Sequence, residues 1–222
     1  MPRNQIWILL RVFACLLILK TVVVVIANYA DYLPPDFASA FLGGRERYFF
    51  GAYRWAFYSH IFAGPVSLAL GLVLLSDRFR SRFLRAHRIL GRLQAMNILG
   101  IVVPSGLWLA AYAETGAVAG VAFAMLAVAT GLAVAQGWQA AVQRRIIAHR
   151  QWMWRGYVLL CSAVTLRILG GLVTLAGFDS SWSYPLSAWI SWLIPLGVLE
   201  TIFIAQRRSR VRAARSETSN TW

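Results

Sequence analysis

The sequence predicts an all-α protein, a polytopic transmembrane helical bundle of six spans with both termini in the cytoplasm. Three observations lead there. Of the residues, 59% are hydrophobic and only 14% charged, against roughly 25% charged in soluble domains. The apolar residues come in long blocks rather than in alternation, and six of these blocks approach the ~20 residues that a bilayer-spanning helix needs. The positive charge, finally, is concentrated in alternate connections, the pattern that orients a membrane protein.

Taken in chain order, the first span covers about residues 6–27. No small-residue cleavage site follows it, and the chain runs on into N-Y-A-D-Y-L-P-P, so the block reads as an anchor rather than a removed signal peptide. Further spans are expected at about 55–75, 90–111, 117–140, 152–175 and 186–205, followed by a basic tail over 206–222. The whole chain, 1–222, reads as a single transmembrane domain.

Arginine supplies 21 of the 22 basic residues behind the formal charge of +14. Six lie in residues 78–92, four in 144–155 and five in 207–215, all on one side of a six-span topology. The connections on the other side are A-Y-A-E-T-G and A-G-F-D-S-S-W-S-Y-P, holding only Glu114 and Asp179. The positive-inside rule then puts both basic loops and both termini in the cytoplasm, where arginines meet anionic headgroups. Charge distributed in this way leaves no folded polar groove for nucleic acid. The lipid bilayer is the expected partner, and the oligomeric state is open.

The long segment from 28 to 54 carries Pro34, Pro35 and R-E-R-Y-F-F-G-A-Y-R-W. Its aromatic density over 45–55 suits a segment resting at the headgroups, and equally one that covers the mouth of a site. Cys15 and Cys161 both fall in apolar blocks and read as small packing groups.

Polar residues inside spans are expensive and mark functional sites by default. Lys20 sits near the middle of the first span, Arg167 in the outward half of the fifth and Glu200 slightly inward of the middle of the sixth. At ~1.5 Å rise per residue, Lys20 and Glu200 differ in depth by less than ~10 Å. Glu200 is therefore expected to pair with Lys20 or with Arg167, with a proton or ion relay as the alternative. His60 opens the pattern His60, Gly64, Ser67, Gly71, whose 4-3-4 spacing makes one helix face small. Such a face admits a neighbouring helix or a flat ligand.

His87 and His149 differ from His60 in facing the cytoplasmic side. Each stands in an Ala-His-Arg setting, R-A-H-R-I-L-G-R and I-A-H-R-Q-W-M-W-R, just before an outward-running helix. Two imidazoles at similar depth on parallel helices suit the axial positions of a haem iron. Arg88, Arg92, Arg150 and Arg155 would then meet the propionates, since guanidinium groups grip carboxylates bidentately. Alternatives are a quinone, a lipid headgroup, or plain interfacial turns. Zinc hydrolysis is disfavoured because it needs three protein ligands, and there is no H-E-x-x-H, G-x-S-x-G or Walker motif. Apart from a haem iron, no metal is expected.

The chain resembles the bacterial multi-spanning proteins grouped as domain of unknown function 2306. The resemblance rests on three stretches and covers about residues 55–175. They are H-I-F-A-G-P-V-S-L-A-L-G, with His60, Gly64 and Gly71; R-A-H-R-I-L-G-R, with His87, Arg88, Gly91 and Arg92; and A-H-R-Q-W-M-W-R-G-Y with A-V-T-L-R. The third holds His149, Arg150, Trp152, Met153, Arg155, Tyr157, Thr165 and Arg167. The resemblance implies a bacterial inner-membrane location. It also implies that His60, Arg92, His149, Arg155 and Arg167 belong to one site or one structural lock. The layout is also similar to membrane b-type cytochromes, but two bis-histidine haems need four histidines and this chain has three. The leading expectation is a polar site between the second, third and fifth spans serving single-haem (haem b) or quinone-linked electron transfer. A small-molecule or ion transporter and a non-catalytic membrane module are the alternatives.

Overall fold

The computed structural model describes residues 3–39, 41–113, 115–178 and 180–219. Six helices are long and apolar enough to cross a membrane: α1 (Ile8–Tyr32), α2 (Glu46–Leu75), α3 (Leu84–Ala110), α4 (Ala117–Val142), α5 (Ile146–Leu175) and α6 (Ser183–Ser209). Among the described residues there is no strand, so the expected all-α bundle of six spans is what forms. Helix α1 extends back to Arg3, and α6 runs on to Ser219. Glu114, Asp179 and residues 220–222 of the tail lie outside the described residues.

Three helices begin well before hydropathy places them: α2 at Glu46 rather than about 55, and α3 and α5 each by about two turns. The first turns of α3 and α5 carry Arg85, His87 and Arg88, and His149 and Arg150. These turns are helical without being apolar, so hydrophobicity marks only the lipid-buried part of each helix. The consequence is that His87 and His149 are each the fourth residue of a helix rather than loop residues.

Helices α2, α3, α4 and α5 pack in sequence, and α5 closes on α2 to complete a four-helix ring. Helix α1 leans on the outside of α2 and α5, and α6 on α4 and α5. Small residues set the close approaches, as expected where lipid supplies no hydrophobic drive between helices. A Cβ added at Gly71 of α2 would run into the ring of Tyr157 on α5, and one at Gly137 of α4 into Met153 of α5. Gly156 of α5 leaves only 3.1 Å for such a Cβ before Val134 of α4.

Prolines inside spans remove a backbone donor, and the structure shows local adjustments at Pro65 and ahead of Pro104. Pro65 leaves the Ile61 carbonyl without its helical partner, and the Tyr29 hydroxyl of α1 donates to it at 2.5 Å. Ahead of Pro104, α3 widens into a π-turn over Ile98–Val102, with the Val103 amide donating to the Ile98 carbonyl. Such π-turns are frequent at functional sites.

The aromatic segment around the start of α2 turns part of its side chains inward, while Phe50 and Trp55 stay exposed. Leu42 and Phe49 are fully buried, and Tyr32, Tyr53 and Phe57 join them in one cluster with Tyr48 and Tyr58 against it. Edge-to-face contacts such as Phe37 with Phe49, at 5.3 Å between centroids, hold it together. Arg45 stacks over Phe41 and donates to the Phe41 carbonyl. The segment is a packed cap on the end of the bundle opposite the arginine clusters.

Candidate functional site

Beneath this cap lies a cavity of about 740 Å³, reaching from the α3–α4 connection toward mid-membrane and touched by all six spans. Its wall is mainly aliphatic, with a few polar groups turned inward, which is the usual make-up of a small-molecule site. His60 and Gly64 come from α2, Gly106 from α3, Thr130 from α4 and Arg167 from α5, while Arg45 and Tyr53 of the cap close the top. Of the two readings of the aromatic segment, covering the mouth of a site is the one this geometry favours.

The chemistry at His60 follows from its neighbour. The imidazole Nδ1 lies 3.1 Å from the Ser105 hydroxyl. That hydroxyl has one proton, which it donates to the Ile101 carbonyl at 2.6 Å, one helical turn back. Its lone pairs are therefore what it offers to His60, so Nδ1 donates and Nε2 is left as an acceptor. Gly106 makes room for the ring, since a Cβ there would stand 3.3 Å from the imidazole Cε1.

Arg167 supplies the opposite polarity. One guanidinium nitrogen donates to the Ala163 carbonyl at 2.9 Å. No carboxylate lies within ion-pair distance of it among the described residues. A cation in a largely apolar cavity, with no counter-charge among the described residues, attracts an anionic or carbonyl oxygen from a ligand.

The arginine-rich half is built differently. His149 Nδ1 donates to the Gly137 carbonyl at 2.8 Å, fastening α5 to α4. Arg150 reaches the exposed Asp77 at 3.3 Å, and Asp77 also holds Arg80 at 2.9 Å. Arg155 grips Glu200 of α6 with two bonds, 2.5 and 2.8 Å, while its guanidinium stacks over Trp152 and Phe203. Tyr157 donates to the Leu68 carbonyl of α2 at 3.0 Å. Between α2 and α3, Gln94 donates to the Ser67 carbonyl and Asn97 to the Ser67 hydroxyl, both at 2.9 Å.

These contacts revise the sequence expectations. Glu200 pairs with neither Lys20 nor Arg167 but with Arg155. Arg155 is nine residues into α5 and Glu200 nine residues before the end of α6, so the antiparallel helices bring both to about 14 Å from the arginine-rich end. Arg167 is a further 12 residues, about 18 Å, from that end, and α1 packs on α2 and α5 rather than on α6. Lys20 stays exposed on α1. The small face of α2 also serves two purposes: Gly64 opens the cavity, whereas Ser67 and Gly71 receive α3 and α5.

His87 and His149 are each the fourth residue of their helix. Their helices are not direct packing neighbours: α3 packs on α2 and α4, and α5 on α4, α6, α2 and α1. His87 Nδ1 is buried with no hydrogen-bond partner among the described residues. Arg88 and Arg92 are exposed on one face of α3, while Arg150 and Arg155, expected at haem propionates, are held by Asp77 and Glu200. Among the described residues no three His, Cys, Asp or Glu side chains gather as a metal site. Cys15 and Cys161 are free thiols.

Ser105 and Gly106 were not singled out in the sequence, although V-P-S-G inside an apolar span was a visible signal. Asp77 was missed as well, as the one acid within the first arginine cluster.

The chain belongs to a family of membrane proteins of unknown function. Residues 57–203 match the family described as "Predicted membrane protein (DUF2306)". The match spans α2 from the turn before His60 through the Glu200 pair, and so takes in both the cavity histidine and the α4–α6 contacts. No curated protein and no solved structure matches the chain.

Proposed function

We propose that this multi-pass membrane protein binds a quinone-class molecule in the capped cavity, with the carbonyl-bearing ring between His60 and Arg167 and the apolar tail between helices. The observation that carries this reading is that an imidazole 3.1 Å from the Ser105 hydroxyl, whose Nε2 we take as the acceptor, shares one aliphatic cavity with a guanidinium that has no carboxylate among the described residues. A quinol hydroxyl would donate to His60 Nε2, and a quinone oxygen at the far side of the ring would accept from Arg167. The reduced head would thus be held at both ends and the oxidised head by Arg167 alone, a difference between the two states that suits quinone-linked electron transfer. The positive-inside rule would place the arginine-rich end in the bacterial cytoplasm and the cavity toward the outer leaflet.

Titration of the purified protein in lipid nanodiscs with a short-tailed quinone, followed by quenching of tryptophan fluorescence, tests the reading. Saturable quenching is expected, weakened at least about tenfold by His60→Leu or Arg167→Leu, as for loss of one buried charge-assisted bond, and unchanged by His87→Leu. Quenching that fails to saturate, or that survives both cavity substitutions, refutes it.

One observation favours a haem b between His87 and His149 as a second reading. The His149 Nδ1–H bond to Gly137 leaves Nε2 free, the orientation common in metal-ligating histidines. Its test is the oxidised and dithionite-reduced absorption spectrum. A Soret band lost on His87→Leu would support it, and a band-free spectrum of protein from haem-replete cells would end it.

A further inference from the structure

Lys20 is the centre of α1: twelve residues, about 18 Å, separate it from either end of the span. It also points away from the bundle. Near the middle of α1, Ile18 and Thr21 are buried against the bundle. At 100° per residue, Lys20 falls almost opposite Ile18, on a face with Leu9, Phe13, Leu16 and Val23, all more than half exposed. Arg11, only three residues inside the span, can extend its stem to the interface. A lysine stem covers roughly 6 Å of the ~15 Å from the bilayer centre to the headgroups, so Lys20 has no such escape. No carboxylate lies within ion-pair distance of it among the described residues.

We infer that this face of α1 is a docking surface for a transmembrane helix of a different protein that carries an aspartate or glutamate near the middle of its span. Charge complementarity at mid-membrane identifies the occupant: an ammonium group surrounded by hydrocarbon is stable when a carboxylate meets it there. Lipid headgroups carry the same charge but lie out of reach. A second copy of this chain does not supply the carboxylate either. Glu200 is the acid found deep in a described span, and both its oxygens are taken by Arg155. The four aliphatic and aromatic side chains flanking Lys20 provide the packing surface on which such a helix would lie.

The test uses the full chain, donor-labelled, in lipid vesicles with acceptor-labelled synthetic leucine-rich transmembrane peptides. One peptide carries a central Asp, one a central Asn and one only leucine. Energy transfer is expected to saturate with the Asp peptide at concentrations about tenfold lower than with the leucine peptide, the range measured for polar contacts between membrane helices. Lys20→Leu, a change on the lipid face, should abolish that preference and leave the fold intact. Equal transfer with all three peptides, or a preference for Asp that persists in Lys20→Leu, overturns the inference. So does Lys20-dependent transfer between differently labelled copies of the protein, which would assign the face to self-association.

Discussion

Toward the arginine-rich end, the polar side chains of α5 are answered within the chain: His149 by a backbone carbonyl, Arg150 by Asp77, Arg155 by Glu200, Tyr157 by Leu68. His87 of α3 is the exception, its Nδ1 without a partner among the described residues. Toward the other end, His60 and Arg167 are set around a cavity, with hydrogen-bonding capacity left over. Both halves use the same residue types in the same membrane. What separates them is satisfaction. A polar group fully matched by its own protein holds helices together, whereas one that retains an open acceptor or an unmatched charge is available to something else. The A-H-R-Q-W-M-W-R-G-Y stretch, which looks the most like a site in sequence, is mostly lock.

If that contrast is right, the largest effect comes from the lock. Arg155→Leu or Glu200→Gln should lower stability by about 3 kcal/mol by leaving a lone charge within the membrane. The double change Arg155→Leu with Glu200→Leu should recover most of it, read from thermal unfolding in detergent. Equal loss in single and double variants would show that packing rather than charge matters there. Next in size is Gly71→Ala, whose new methyl meets the Tyr157 ring. An overpacking cost of about 1–3 kcal/mol is expected, reduced when Tyr157→Leu is added.

Changes in the cavity half should move stability little and binding much. Arg167→Leu is expected to shift unfolding by less than about 1 kcal/mol, since only one hydrogen bond to a carbonyl is lost, while the quinone affinity falls. Gly106→Ala is the finest probe: by pressing on the His60 ring from 3.3 Å it should weaken binding a few-fold without unfolding the protein. Nitrogen-15 NMR of labelled histidine adds a direct check, with His60 protonated at Nδ1 and not at Nε2. The reverse tautomer would break the link to Ser105 on which the acceptor assignment depends.

How much of this was legible in the sequence differs between fold and site. Composition, block length and the arginine pattern were enough for six helices, because the bilayer permits few alternatives. Helix ends were not, since the arginine-bearing first turns of α3 and α5 are helical without being apolar. His60 and Arg167 could be named from depth alone, and Gly64 and Gly71 from spacing. Which polar residues pair could not, because depth along a helix does not say which helices are neighbours. Glu200 looked level with Lys20, yet α1 and α6 lie on different sides of the ring. Likewise, the hydroxyl that meets His60 comes from Ser105, just beyond a π-turn in α3 that hydropathy cannot show.

The most direct test of the account is to extract and quantify lipophilic molecules bound to the purified protein, comparing wild type, the His60→Leu/Arg167→Leu double variant and His87→Leu. About one quinone per chain in wild type and in His87→Leu, and none in the double variant, is the predicted result. A wild-type protein that carries no quinone, or a double variant that retains it, would contradict the assignment of the capped cavity as the working site.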